Sequence, residues 1–336
     1  MKKILSVSIA AYNVSKTLAE CVEPFLRCTA LEQLDIMIVD DGSKDKTASI
    51  AQKYASRFPN SIRLISKENG GWGSTVNTGI QNAKGLYFRQ LDGDDYYNPE
   101  NLAVYVDFLS KSGADMVVAP YVEYDEQTGD ILAEKDCNPG CSIGKIYALK
   151  DLYNFAPFMH SVAVKTALLK DSVDVTEKCF YTDTEFVLKA CNQVNSVMFF
   201  DKAIYYYRRA SVGQSMSLDG MEKHYADQTK VIEVMLKYMK NEVKREEVQR
   251  IYDNLLKGTC WWQYLVLLYI HPTKEHKKAL VSYDRMLKKN ALQYYKEIHF
   301  RNLTILRHTF FIGYSYFAKR QKEEDNRFSE DGRLLF

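Results

Sequence analysis

Residues 5–92 of this 336-residue chain switch repeatedly between two periodicities. Four short apolar runs read as strands: Leu5-Ser6-Val7-Ser8-Ile9-Ala10, Ile36-Met37-Ile38-Val39, the stretch from Ile62 to Ile65, and Leu86-Tyr87-Phe88-Arg89-Gln90-Leu91. Between the first two, Leu18, Val22, Phe25 and Leu26 recur at helical spacing. Between the next two, Ile50, Ala51, Tyr54, Ala55 and Phe58 do the same. A third helix is predicted over 75–83, ended by Gly85. This alternation restricts the chain to an α/β architecture, with a mostly parallel sheet, right-handed crossovers and flanking helices. In such sheets ligands sit outside the carboxyl ends of the strands.

Polar motifs fall at that edge. Ala11-Tyr12-Asn13 follows the first strand, Asp40-Asp41-Gly42-Ser43 the second, and Asp92-Gly93-Asp94-Asp95 the fourth. Three carboxylates within four residues repel one another unless a cation neutralises them. Mg²⁺ and Mn²⁺ prefer oxygen ligands and are commonly shared between carboxylates and substrate phosphates. The alternative is a solvated acidic turn. Single residues have alternatives too: a turn cap for Asp41, a core aromatic for Tyr12, and a helix N-cap before Asn98-Pro99-Glu100 for Asp95. Gly70-Gly71-Trp72-Gly73-Ser74 opens the third helix, where glycines let backbone approach a ligand and a helix N-terminus favours anions. A plain helix-start glycine cluster is the competing reading. The run is neither a Walker loop nor a dinucleotide fingerprint, because its Gly spacing is wrong.

With Asn69, Asn77 and Gly79, and with Tyr181-Thr182-Asp183-Thr184-Glu185-Phe186 and Tyr207-Arg208 before Gly213-Gln214-Ser215-Met216-Ser217, these motifs resemble the family 2 glycosyltransferases, in order and over roughly residues 4–217. Two positions depart from the family: Ala10 stands where Pro is common, and Thr182 where Glu commonly precedes the catalytic Asp. The resemblance implies a Rossmann-like GT-A fold and an inverting, metal-dependent transfer from a nucleotide sugar, UDP-linked, to a glycan or lipid-linked acceptor in cell-surface polysaccharide synthesis. It implies a donor site of Ala11, Tyr12, Asn13, Asp40, Asn69, Gly73, Asp92, Arg208, Gln214 and Ser215. Asp40 would accept from a uracil-like N3–H, and Arg208 would close over the diphosphate. For adjacent arginines such as Arg208 and Arg209, one inward and one outward is the alternative. Asp94, with Asp92, would hold Mn²⁺ or Mg²⁺. Asp183 would be the general base, and Asp95, His160 and Glu185 would lie on the acceptor side. A lone His such as His160 is more often structural.

The expected organisation is a catalytic domain over 1–218, with a donor half to about 115 and an acceptor half from about 116, then a helical region over 219–336. Charge is nearly balanced, 45 basic against 43 acidic residues, so no nucleic-acid partner is implied. The seven cysteines are scattered and complete no zinc pattern, which suits free cytosolic thiols. No signal-peptide plan and no apolar run of about 20 residues is found, so a cytoplasmic location is expected. From His271 to Lys322 twelve Lys/Arg face three Asp/Glu. Within 301–322, Leu303, Leu306, Phe310, Tyr314 and Phe317 are predicted on one side, with Arg307, Lys319 and Arg320 elsewhere. Core packing or a homo-oligomer contact is one reading. An interfacial helix on an anionic membrane, holding the chain peripherally at the inner face of the cell membrane, is the other.

Two competing activities were weighed. A nucleotidyltransferase or sugar pyrophosphorylase would carry a Gly-rich, basic first strand–helix turn, and Ala10-Ala11-Tyr12-Asn13-Val14 is not one. A catalytically inactive carbohydrate-binding protein would not need the full acidic set.

Overall fold

A computed structural model describes residues 2–209 and 217–324. The described residues form two compact units, one of residues up to Arg209 with Arg245–Ile251, the other of 217–244 and 252–324.

The first unit begins as expected. Strands β1 (Leu5–Ala11), β2 (Leu34–Asp40), β3 (Ile62–Ser66) and β4 (Tyr87–Asp92) alternate with helices α1 (Leu18–Arg27), α2 (Thr47–Arg57) and α3 (Trp72–Asn82). β2 is buried along its whole length and β1 along nearly all of it, which is why both read as apolar runs instead of alternating ones. Their polar exceptions pair with each other. Ser6 Oγ donates to Asp35 Oδ2 at 2.6 Å, and Arg63 forks onto the same carboxylate. α3 starts at Trp72, three residues before its predicted start, and is followed by an extended Ala83. Gly85 therefore does not cap it. The chain passes so close to β1 there that a Cβ on Gly85 would stand 2.4 Å from the Ser6 nitrogen.

Beyond β4 come β5 (Tyr96–Tyr97), α4 (Pro99–Lys111), β6 (Met116–Val118), β7 (Tyr121–Asp125), β8 (Ile131–Lys135) and β9 (Ile146–Ala148). They are followed by β10 (Val162–Lys165), α5 (Thr166–Leu169), α6 (Asp183–Cys191), β11 (Ser196–Phe199) and β12 (Tyr205–Arg209). The main sheet has the order β3-β2-β1-β4-β10-β6-β11-β9. β10 is antiparallel to both of its neighbours and β9 to β11; the remaining strands run one way. The strand order reverses between β1 and β4, where α/β sheets open a crevice. A smaller sheet, β5-β12-β7-β8, stands beyond the carboxyl end of β4. All seven cysteines are free thiols.

The second unit is helical: α7 (Leu218–Glu242), α8 (Glu246–Tyr269, whose first turns belong to the other unit), α9 (Lys274–Asn290), α10 (Leu292–Glu297), α11 (Arg301–His308) and α12 (Tyr314–Glu324). No described helix is long and apolar enough to cross a membrane. Here the structure corrects the sequence reading twice. Residues 301–322 are not one amphipathic helix but two short ones, broken at 309–313. Leu303, Leu306 and Tyr314 are buried as expected, whereas Phe310 points into solvent. Arg307, expected on the polar side, is half-buried. Its Nε donates to Asp284 Oδ1 at 2.8 Å, and its guanidinium lies 4.0 Å from the Tyr295 ring centre.

Candidate active site

Strand register brings the motifs of the site to one edge. Parallel pairing sets Ala11 opposite Asp40, Ala10 opposite Asp92, and Asp40 opposite Ser66. Three sequence-distant motifs thus end on one line at the carboxyl edge.

At the end of β4, Asp92 Oδ1 accepts from Trp72 Nε1 at 2.6 Å. Burial, with the charges of Asp94 and Asp183 beside it, outweighs that bond and pushes Asp92 up to about 7. Burial also raises Asp94, against the pull of Arg208, and raises Asp183 at the start of α6. Asp183 is therefore close enough to Asp92 to disfavour its charge, although 91 positions separate them. Half-buried carboxylates held above their ordinary range are short of positive charge. This set of oxygen donors suits a hard divalent cation.

Asp95 has a different role from either expected one. Asn98 is the N-cap of α4, accepting from the Asn101 N–H at 2.8 Å. Asp95 is fully buried, and its oxygens accept from the Tyr205 hydroxyl at 2.6 Å and the Arg208 N–H at 2.7 Å. It fastens β12 to the acidic turn. Possible ligand atoms of Asp92, Asp95 and His160 lie within 4.8 Å of one another. However, Asp95 is already bound on both oxygens. His160 is packed against the rings of Tyr207, Tyr205 and Tyr121, and burial, with Arg89 and Arg209 nearby, pushes its imidazole down to about 3. His160 is a neutral wall under the turn.

Asp41 does not cap α2 either. Its carboxylate accepts from Lys67 Nζ (2.8 Å), the N–H groups of Gly70 (2.9 Å) and Gly71 (2.8 Å), and Ser74 Oγ (3.2 Å). Asn69 Nδ2 adds a bond to the Asp41 carbonyl at 3.0 Å. The first turn of α2 is served by Asp45, which accepts from the Thr47 and Ser15 N–H groups. Asn13, with φ of 55°, accepts from the Lys44 N–H and donates its own N–H to Ser43 Oγ, while Asp40 accepts from the Ser43 N–H at 3.2 Å. Tyr12 is 48% exposed beside them, so the core-aromatic reading fails.

Arg208 was expected over a diphosphate. Its guanidinium is instead held by the Asp94 carbonyl (2.6 Å), Glu126 (2.9 Å) and Glu20 (2.6 Å), stacked over Tyr124. Arg209 is buried as well, its guanidinium over the Tyr207 ring, so the inward–outward alternative is also set aside. Gln214 and Ser215 lie outside the described residues. Glu185 is fully buried, ion-paired with Lys189 at 2.7 Å and bonded to the backbone and hydroxyl of Thr176. That consumes the carboxylate expected on the acceptor side.

Gly73 turns its bare face to the 175–176 segment. A Cβ there would stand 2.2 Å from the Thr176 carbonyl oxygen. Asn77 pairs with the Val175 backbone through both side-chain atoms (2.9 and 2.8 Å), and the Lys178 N–H donates to the Gly70 carbonyl at 2.6 Å. The segment leading to Asp183 is thus laced to α3. Sequence reasoning missed Trp72, Tyr205, Glu20 and Glu126. Trp72 sat inside a motif already singled out; Glu20 and Glu126 carry no local signal at all.

Residues 6–162 match the model of glycosyl transferase family 2. The glycosyltransferase GlyG of Streptococcus pneumoniae serotype 4 is 34% identical over 131 residues, 39% of this chain and 43% of that protein. The minor teichoic acid biosynthesis protein GgaB of Bacillus subtilis is 29% identical over 215 residues, 62% of this chain and 23% of that protein. Each match spans less than half the length of the curated relative. Among solved structures, S. aureus TarS 1–349 in complex with UDP-GlcNAc superposes with a TM-score of 0.64 at 18% identity, over 96% of this chain and 91% of that one. The fold is GT-A, with a C-terminal helical region.

Proposed function

We propose that this chain is an inverting, metal-dependent glycosyltransferase that moves one sugar from a UDP-linked donor to a glycan or lipid-linked acceptor in surface polysaccharide synthesis. One observation carries it: at the crevice where the strand order reverses, the half-buried Asp92 has the charges of both Asp94 and Asp183 beside it, which with desolvation hold its carboxyl up to about 7. Tyr12 and Asp40 would receive the base, with Asp40 accepting from an imide N–H. Trp72 fixes the orientation of Asp92. Asp94 and Asp92 would hold Mn²⁺ or Mg²⁺, which supplies positive charge to the departing diphosphate. Asp183 would take the proton from the acceptor hydroxyl as its oxygen bonds to the anomeric carbon and the nucleoside diphosphate leaves. One base and one displacement invert that carbon. In this reading Asp95, His160, Arg208 and Glu185 shape the site without touching substrate. The proposed division is a catalytic domain over 1–218 and a helical region after it, at the cytoplasmic face of the membrane. UDP-GlcNAc bound to TarS and the teichoic acid role in GgaB's name support the donor and acceptor classes. Thermal unfolding with a panel of nucleotide sugars, with and without Mn²⁺, tests the reading. A metal-dependent rise in Tm with one or two UDP-sugars is expected, and no response to any of them would overturn it.

A further inference from the structure

The break between α11 and α12 is an unusual turn. Phe310 and Phe311 both hold left-handed backbone, with φ of 50° and 60°, and Gly313 follows at 80°. Bulky residues rarely adopt this conformation, and its appearance twice in succession marks a segment held in place by its surroundings. Those surroundings are clear. Leu306, Phe311 and Tyr314 are buried, the Phe311 N–H donates to the Leu306 carbonyl at 2.6 Å, and the Tyr314 hydroxyl donates to the Leu267 carbonyl at 2.8 Å. Three large side chains between these anchors are turned outward: Phe310 at 85% exposure, Ile312 at 71% and Tyr316 at 62%. Single exposed apolar residues are ordinary, but three within seven positions on an anchored turn form a patch.

The charge around the patch selects what it meets. From Ile298 to Lys322 the sequence has no Asp or Glu, while Arg301, Arg307, Lys319, Arg320 and Lys322 are all basic. Arg307 is spent internally on Asp284, but Arg301 and Lys319 are exposed. An aromatic and aliphatic tip, a Tyr at its margin and the exposed cations Arg301 and Lys319 suit an anionic bilayer, with the Glu222 carboxylate, near Tyr314, and, along the sequence, Glu323 and Glu324 at the far end of α12 as the nearest negative charges. Apolar groups enter the headgroup boundary, Tyr remains at its level, and the cations face lipid phosphates. We propose that the turn 309–316 is an insertion tip that docks this chain on anionic membranes. The contact would be made by this tip, not by a helix face laid along the interface. The proposal does not depend on the reaction assigned to the first unit.

Co-sedimentation of the full chain with phosphatidylcholine vesicles, with and without one-third phosphatidylglycerol, tests it. Binding to the anionic vesicles only, weakened by 0.5 M salt, is expected. The variant Phe310→Ser/Ile312→Ser should cut partitioning roughly tenfold, because loss of two inserted apolar side chains removes most of a marginal attachment. Its Tm and its response to nucleotide sugars should stay at parental values, which separates lost docking from lost folding. Lys319→Glu should weaken binding less and mainly at low salt. Equal binding by Phe310→Ser/Ile312→Ser and the parent would overturn the proposal. So would indifference of the parent to anionic vesicles, or light scattering showing a parental dimer that the double variant dissociates.

Discussion

Two acidic loops flank the end of β1 at the sheet edge and are handled in opposite ways. In the loop after β2, Asp41 is saturated by an ammonium, two N–H groups and a hydroxyl. In the turn after β4, Asp92 has one indole N–H, and it and Asp94 are held above the ordinary carboxylate range. A buried carboxylate with a full set of donors is architecture. A buried carboxylate short of donors is a place where positive charge is missing, and that is where a ligand's cation belongs. Asp95 shows that the distinction runs residue by residue, since it lies next to Asp94 and is bonded like Asp41.

Substitutions should separate the two kinds. Asp94→Asn is expected to have the largest effect. Calorimetric titration of UDP in the presence of Mn²⁺ should lose its metal-dependent component while the fold persists, and transfer should fall by more than about 10³-fold, as charge support for the leaving group is lost. Unchanged affinity would remove Asp94 from the metal site. Asp183→Asn should leave UDP binding intact and lower transfer by roughly 10²- to 10⁴-fold, the range for loss of a general base. Near-normal transfer would show that another group accepts the proton.

Asp41→Ala attacks the saturated loop. Urea unfolding should show a loss of about 3 kcal/mol, because charged hydrogen bonds disappear and buried donors are left unpaired. KM for the donor should rise more than kcat falls, since Asp41 holds the 69–74 loop and meets no reacting atom. A variant as stable as the parent would contradict this account of the loop.

The smallest effect concerns Asp45. Burial pushes its carboxyl up, but hydrogen bonds from Ser15 and Thr47 outweigh that and bring it down to about 2, from an ordinary 3.8. A depressed folded value means stability that is present above pH 4 and lost as pH falls toward 2. Asp45 is exposed, so solvent screening keeps the gain below about 1 kcal/mol. Asp45→Asn should therefore lower Tm slightly at pH 7 and clearly less near pH 2.5, where most of the linkage has gone. A Tm difference that is the same at both values would show that the hydrogen bonds, not the charge, matter.

Much of the donor half was legible because its strands are buried on both faces and its helices are amphipathic. Periodicity then locates β1 to β4 to within a residue or two, and parallel register does the rest. The roles of the acids were less legible. Adjacent Asp40 and Asp41 look alike in sequence, and only the path of the 67–74 loop decides which is consumed. The bonds that hold Glu185 and Arg208 were hidden for the same reason: Thr176, Glu20 and Glu126 come from segments with no motif. The break at 309–313 was invisible because Phe310 and Phe311 are not residues from which left-handed backbone is expected.

The lacing of Asn77 and Gly73 to Val175 and Thr176 bears on how such enzymes can be altered. The strip that delivers Asp183 hangs from the helix that begins at the glycine run. A chimera that grafts residues 175–186 from a relative, while keeping the resident α3, would pair two mismatched surfaces and misplace Asp183. The unit of exchange is therefore a discontinuous cassette, 70–82 together with 175–186, although nearly a hundred residues lie between its parts.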